Sequence, residues 1–134
     1  MTIPFLYQLQ NADYASLSDA DFRVAVIDPD DSALSAQQVA DLQSSQNKLL
    51  YAYTSIGEAE SYRDYWEDSW TIQPPDYVLG ENVQWEGNFR VEFWDTDWQE
   101  IIFARVDDVL AKGYDGIYLD IVDGYSVDEV IAAY

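Results

Sequence analysis

Short apolar runs rich in β-branched and aromatic residues alternate along this chain with capped helical stretches, and the runs end in carboxylates or amides. Four of them stand out: Phe5-Leu6-Tyr7-Gln8-Leu9-Gln10, Phe22-Arg23-Val24-Ala25-Val26-Ile27-Asp28, Lys48 to Ile56, and, within Lys112 to Asp123, the short apolar run after Gly113 that ends in Asp120 and Asp123. Such runs read as buried strands. Helices between strands of this kind imply a parallel sheet with crossover connections, in which the C-terminal strand ends face the ligand crevice. The spacing matches about four units of a (β/α)8 barrel, whose complete form needs about 250 residues, so this is an α/β chain forming an incomplete, half-barrel set of parallel (β/α) units.

The connections carry their own signals. Asn11 and Asp13 break the first run, and a weakly helical stretch spans Ala15 to Asp21. Ser35-Ala36-Gln37-Gln38 is a capping box that opens a helix to about Gln46, with Val39 and Leu42 on its apolar face. Ser61 to Glu67 is compatible with one or two helical turns, which Pro74-Pro75 stops. Tyr77 to Asn88 is expected to be a long loop, and Arg90 to Asp95 alternates like a short strand. Thr96-Asp97-Trp98-Gln99 is a second capping box, for a helix whose stripe is Trp98, Ile101, Ile102, Val106, Val109 and Leu110; Gly113 sits at its C′ position. A third box, Ser126-Val127-Asp128-Glu129, opens a helix cut off at Tyr134. A helix so short has little length over which to bury a face, which points to truncation.

Charge and composition then remove whole classes of chemistry. Six Lys+Arg against 26 Asp+Glu give a net charge of -20, which opposes nucleic acid and anionic membrane as partners and permits a cationic one. The bulk of that charge is equally a solvating surface. With no Cys and no His, disulfides, thiol catalysis, His-based metal sites and the Ser-His-Asp triad are all out of reach. The segment Asp28-Pro29-Asp30-Asp31-Ser32 fails the EF-hand pattern, having Ala33 where the loop needs Gly and Val39 where it needs Glu. No metal or cofactor is expected. The first residues lack the basic and apolar regions of a signal peptide, and no run approaches the ~20 apolar residues of a membrane span.

Carboxylates, hydroxyls, amides and aromatics are left to act. Asp28, Glu58 with Glu60, and Asp120 with Asp123 mark three strand ends, and acids gathered on one rim suit glycoside chemistry, where one carboxyl donates a proton and another attacks or activates water. Each also has a structural reading: Asp28 before Pro29 as a turn or cap, Glu60 with Arg63 as an i,i+3 ion pair. A buried Arg63 would equally hold a catalytic carboxylate ionised. Aromatics make up 16% of the chain, and Tyr62, Tyr65, Trp66, Trp85, Trp94 and Tyr125 near expected loops could stack on sugar faces or simply pack a core. Trp98, on a helix face, is a core residue.

At Tyr53-Thr54-Ser55-Ile56-Gly57-Glu58-Ala59-Glu60-Ser61-Tyr62-Arg63-Asp64-Tyr65-Trp66, then Phe93-Trp94-Asp95 and Tyr114 to Tyr125, the sequence resembles glycoside hydrolase family 114, TIM-barrel proteins related to endo-α-1,4-polygalactosaminidases. The resemblance runs from about Phe5 to Tyr134 and covers about half of the family's barrel. Residues 1–134 are accordingly expected to form one domain, the N-terminal half of that barrel, cut in the helix after the fourth strand. What the resemblance implies is hydrolysis of α-1,4 links in a galactosamine-containing polysaccharide, a cationic substrate when deacetylated. Asp120 matches the catalytic carboxylate, the implied nucleophile, and its implied partner is a Glu on a later strand beyond Tyr134. Asp123 and Glu58 would position or tune it, Glu60 and Arg63 would contact sugar or each other, Trp66, Trp85 and Trp94 would stack, and Asp28, Tyr65 and Tyr125 complete the expected substrate rim. The alternative is a non-catalytic carbohydrate-binding or self-assembling fragment that lacks the second acid, unless Glu58 or Glu60 supplies it. Exposed edge strands would favour a homodimer or docking of the missing C-terminal half. The family resemblance implies an extracellular location if the precursor is longer.

Overall fold

In the computed structural model, residues 4–134 are described. They form two compact units, one made of residues 4–54 and 105–118, the other of residues 55–104 and 119–134. Helix α4 (Thr96–Ala111) and strands β3 (Leu49–Ser55) and β7 (Gly116–Asp120) each contribute residues to both units.

The first unit is built on a parallel sheet. Its strands are β1 (Phe5–Gln8), β2 (Val24–Ile27), β3 and β7, adjacent in that order. The register sets Leu6 beside Ala25 and Ala25 beside Leu50, and likewise Gln8, Ile27 and Ala52 in a row. Because strand side chains alternate between faces, Leu6, Ala25, Ile27, Leu50 and Ala52 share one face, and they form the core with Leu17, Val39, Leu42, Val109 and Tyr114. Helix α1 (Tyr14–Asp19) begins at Asp13, whose side chain accepts from Ser16 N. Helix α3 (Ala36–Ser44) starts with the expected capping box, in which Ser35 and Gln38 each satisfy the other's backbone N–H, and it buries Val39 and Leu42. Tyr14 of α1 donates its hydroxyl to the Asp41 carboxylate of α3. Lys48 is buried, its ammonium donating to the carbonyls of Leu17 and Ser18 at the end of α1 and lying 4.5 Å over the Phe22 ring. Burial lowers its pKa.

The end of α4 is a Schellman turn, as the sequence suggests. Tyr114 N donates to Val109 O and Gly113 N to Leu110 O, with Gly113 at φ +95°. Asp115 then pins the start of β7 to β3: its N–H donates to Leu50 O at 2.9 Å, and its carboxylate accepts from Leu50 N at 2.8 Å.

The second unit departs most from expectation. The presumed loop over Tyr77 to Asn88 contains β5 (Val78–Glu81) and the start of β6 (Asn88–Val91), which with β4 (Glu58–Glu60) form an antiparallel sheet in the order β4-β6-β5. Strands of three or four residues carry too little alternation to be seen in sequence, and their pairing rests on long-range partners. The alternating stretch at Arg90 ends as strand at Val91. Ser61 to Glu67 is not helical. It makes successive turns, Arg63 N to Glu60 O and Trp66 N to Arg63 O, because its side chains are drawn to Glu60 rather than arrayed along a helix. The cap of α4 is Asp95, whose carboxylate accepts from Asp97 N and Trp98 N, one residue before the expected Thr96. The third expected capping box does not form either. Ser126 Oγ donates to Asp123 O, and α5 (Asp128–Ala133) has no side-chain cap. A one-turn α-helix, α2 (Pro29–Ser32), capped by Asp28, follows β2. Among the described residues no helix is long and apolar enough to cross a membrane.

The Tyr14 hydroxyl holds the Asp41 carboxyl below its usual range and is itself pushed up. A carboxylate with a depressed folded pKa adds stability that is present above its unfolded pKa and lost as pH falls through the folded value. Tyr14→Phe is therefore expected to return the Asp41 titration toward the ordinary carboxylate value and to flatten the acid limb of unfolding stability. Side-chain carboxyl NMR titration with urea unfolding between pH 2 and pH 6 checks both.

Candidate active site

Of the residues the sequence nominates, Asp28 lies in the first unit and all the others lie in the second. Asp28 is buried and caps α2, accepting from Asp30 N at 2.9 Å and Asp31 N at 3.4 Å. That is the structural role open to an acid before proline.

Asp120 is the last residue of β7 and is partly buried. Its carbonyl accepts from Ile56 N at 3.1 Å, which ties the two strand ends together. The next residue, Ile121, has φ +56°. A β-branched side chain in the left-handed region costs about 1–2 kcal/mol and persists only where the surroundings impose it. Gly57 is one such surrounding: a Cβ there would lie 2.3 Å from Ile121 O and 2.7 Å from its Cγ2, so only glycine lets the two backbones meet. Gly124 N donates to the same Ile121 carbonyl at 3.2 Å. The direction in which the Asp120 side chain leaves its strand is thus fixed by backbone on both sides.

Glu58 and Glu60 are committed to other work. Glu58 is completely buried on β4, directly opposite Arg90 in the register. Its Oε1 accepts from Arg90 Nη1 at 2.6 Å and Asn82 Nδ2 at 2.8 Å, and its Oε2 from Asn88 Nδ2 at 3.2 Å. An isolated carboxylate could not remain charged there, and these donors supply the pairing that burial demands. Glu60, 3% exposed, accepts from Arg63 Nε at 2.7 Å and from the Tyr62 hydroxyl at 2.7 Å. The i,i+3 pair of Glu60 with Arg63 is present and buried, on a turn rather than a helix.

The aromatics separate into interior and surface. Tyr65 packs edge-on to Trp98 at 5.7 Å and accepts from Glu60 N through its hydroxyl. Trp66 lies between Trp70 and Phe89, at 5.3 and 4.8 Å. Trp98 is buried, donating to Ile56 O at 3.0 Å, and the half-buried rings of Tyr65, Trp66, Trp70 and Phe89 form the rest of this cluster. Trp94 and Tyr125, by contrast, line a pocket of about 460 Å³ with Phe93, Val130, Ile131 and Tyr134. Its size suits a small ligand and its walls are aromatic and aliphatic. Trp85 is 66% exposed, Tyr62 62%, and Asp123 is exposed on the turn after β7. Asn82, Asn88 and Arg90 carry no local signal, because their part depends on antiparallel pairing across a turn. Among the described residues no three or more acidic side chains gather in a metal-holding group.

A family model for glycoside hydrolase family GH114 matches residues 2–133. The chain belongs to glycoside hydrolase family 114. Proteins of uncharacterised function from Methanocaldococcus jannaschii and Thermotoga maritima are 39% and 38% identical to it over 124 and 125 residues, covering 89% and 90% of this chain but 36% and 39% of theirs. Ega3 of Aspergillus fumigatus, solved in complex with galactosamine, is similar in structure with a TM-score of 0.69 and 25% identity, over 97% of this chain and 47% of that one. The glycoside hydrolase domain of PelA from Pseudomonas aeruginosa shares the fold, with a TM-score of 0.68 at 22% identity over 98% of this chain and 49% of that one. The family 114 chain described here therefore spans about half the length of its structural relatives and a little over a third of the others. Its architecture is that of parallel (β/α) units of a TIM-barrel glycoside hydrolase, four strands of it.

Removing one partner of a buried, hydrogen-bonded ion pair strands the other charge. Glu58→Ala is expected to lower the unfolding free energy by about 3–5 kcal/mol. The exposed Glu86→Ala should stay within about 0.5 kcal/mol of the parent, both measured by urea denaturation.

Proposed function

We propose that this chain contributes to a glycoside hydrolase acting on α-1,4-linked galactosamine-containing polysaccharide, with Asp120 as one member of the catalytic carboxylate pair. The observation that carries the reading is the backbone at Asp120: a strand-end acid held by the Ile56 bridge, followed by the strained Ile121 packed on Gly57. Strain of that kind gathers where a side chain must be aimed, and hydrolysis of a glycosidic bond needs a carboxylate held at a fixed place beside it. Family membership and the galactosamine bound to Ega3 support the choice of substrate class. Trp94 and Tyr125 would bind sugar in their pocket, Trp85 would stack at the surface, and Asp123 would lie near the reacting centre. Glu58, Glu60 and Arg63 would hold the frame, and Asp28, Tyr65 and Trp66 would support the rim from within their own units.

The test is release of oligosaccharides from deacetylated and acetylated galactosaminogalactan by this chain and by Asp120→Asn. Loss of a carboxylate that attacks or protonates should reduce turnover at least about 100-fold. Equal rates in the two proteins would remove Asp120 from the chemistry.

A second reading has its own observation. Glu58 and Glu60, the two internal candidates for the partner acid, are both buried and already engaged by arginine and by neighbouring donors, so neither carboxyl is open to a substrate. The partner would then come from outside these 134 residues, through a homodimer or a C-terminal half-barrel, or the chain would bind carbohydrate without cleaving it. The edge strands agree with assembly: Phe5, Tyr7 and Tyr118 are 61%, 46% and 41% exposed on β1 and β7. Soluble proteins seldom leave such edges bare. With a net charge of -20 on each copy, association should strengthen with salt. Light scattering at 0.05 and 1 M NaCl is expected to show dimer or larger species at the higher salt; a monodisperse monomer at both removes self-assembly.

A further inference from the structure

The antiparallel unit ends in a tight turn, Trp85 to Asn88, closed by Asn88 N donating to Trp85 O at 3.1 Å. The turn is held from three directions. Asn82 N donates to Asn88 O at 2.7 Å, Gly87 N to Glu81 Oε1 at 2.7 Å, and Ser61 N to Gly87 O at 2.7 Å. Gly87 has φ +83°, and a Cβ there would lie 2.9 Å from Ser61 Oγ and 3.6 Å from Tyr62 Cδ1. Glycine is therefore required, and its bareness allows the Tyr62 ring to lie against the turn.

Tyr62 is 62% exposed, yet its orientation is set by several contacts. Its hydroxyl donates to the buried Glu60 carboxylate, and the Arg63 guanidinium lies 5.1 Å from its ring centroid. Trp85, the first residue of the turn against which the Tyr62 ring lies, is 66% exposed. Of these two large exposed rings, one is held against the turn through a buried ion pair, while Phe89 of the same sheet packs on Trp66 instead.

We infer that Tyr62 and Trp85 form an aromatic platform that binds pyranose units of a polysaccharide chain, at a place apart from the pocket lined by Trp94 and Tyr125. The chemistry is stacking of the C–H face of a sugar ring on an aromatic face, with the neighbouring amides and carboxylates left for hydroxyl and amino groups. A ring already held in position loses little conformational entropy when a sugar settles on it. The inference rests on the carbohydrate reading of the chain and deepens it, since it names residues that bind without taking part in bond cleavage.

The experiment separates the two claims. In the Asp120→Asn background, binding of galactosamine oligosaccharides is measured by tryptophan fluorescence and by calorimetry, for the parent and for Tyr62→Ala, Trp85→Ala, the double variant and Tyr62→Phe. Each alanine variant should weaken binding about tenfold, as loss of one aromatic contact does. Tyr62→Phe, which keeps the ring but loses its tie to Glu60, should fall between Tyr62→Ala and the parent. Circular dichroism verifies folding, and a folded Tyr62→Phe that binds no better than Tyr62→Ala would mean that the ring is not the binding element. Unchanged affinity in a folded double variant, or no binding by the parent, overturns the platform. Turnover that depends on Asp120 alongside unchanged binding would overturn the platform alone. Platform-dependent binding without any turnover would overturn only the hydrolase reading.

Discussion

A carboxylate with no solvent exposure must be answered on every side, and Glu58 sets the terms for the unit around it. Its three donors come from positions far apart in sequence: Arg90 directly across the ladder, and Asn82 and Asn88 from the two ends of one turn. Satisfying the charge therefore fixes the pairing of β4 with β6 and closes the connection from β5 to β6. Two residues along the same strand, Glu60 repeats the device with Arg63 and Tyr62. Polar groups buried in this way have one arrangement that satisfies them all, so they specify a geometry even where their net contribution to stability is small.

At Asp120 the fixing is done by backbone instead. The bridge from Ile56 and the contact of Ile121 with Gly57 are both main-chain features, and Ile121 remains in an unfavourable conformation to maintain them. A packed site of this type tolerates little change in volume, because a methyl group at position 57 would overlap a carbonyl oxygen. The acids of the chain thus divide by use. Some neutralise buried cations, some cap helices as Asp28 and Asp95 do, and Asp120 and Asp123 stand at the end of the strand that the barrel plan directs toward ligand. Most of the remaining negative charge is on the surface, where solvent screens it.

The aromatic content is divided in the same manner. Tyr65, Trp66, Trp70, Tyr77, Phe89 and Trp98 contact one another in a chain of edge-on and tilted pairs. The burial of Tyr77 raises its hydroxyl pKa, consistent with an interior place. Trp94 and Tyr125 line a pocket, while Trp85 on its turn and Tyr62 against that turn are exposed. From the sequence these residues are alike: each is an aromatic near a polar stretch, and exposure depends on which neighbours the fold brings up behind it.

Much of the parallel sheet was legible in the chain. The β-branched runs, the Ser35 capping box, the Gly113 turn and the strand-end position of Asp120 all follow from local pattern, because a strand's alternation, a cap's hydrogen bond and a glycine's positive φ are decided within a few residues. Only the tertiary structure decided the antiparallel sheet, the partners of Glu58, the left-handed Ile121 and the sorting of the aromatics. Each of those depends on pairing between elements that local pattern does not show, as for Glu58 with Asn82, or on backbones that meet only after folding, such as Gly57 and Ile121. Sequence determined that this strand would end in an acid; long-range packing decided how its backbone is held and which other carboxylates are taken up in ion pairs.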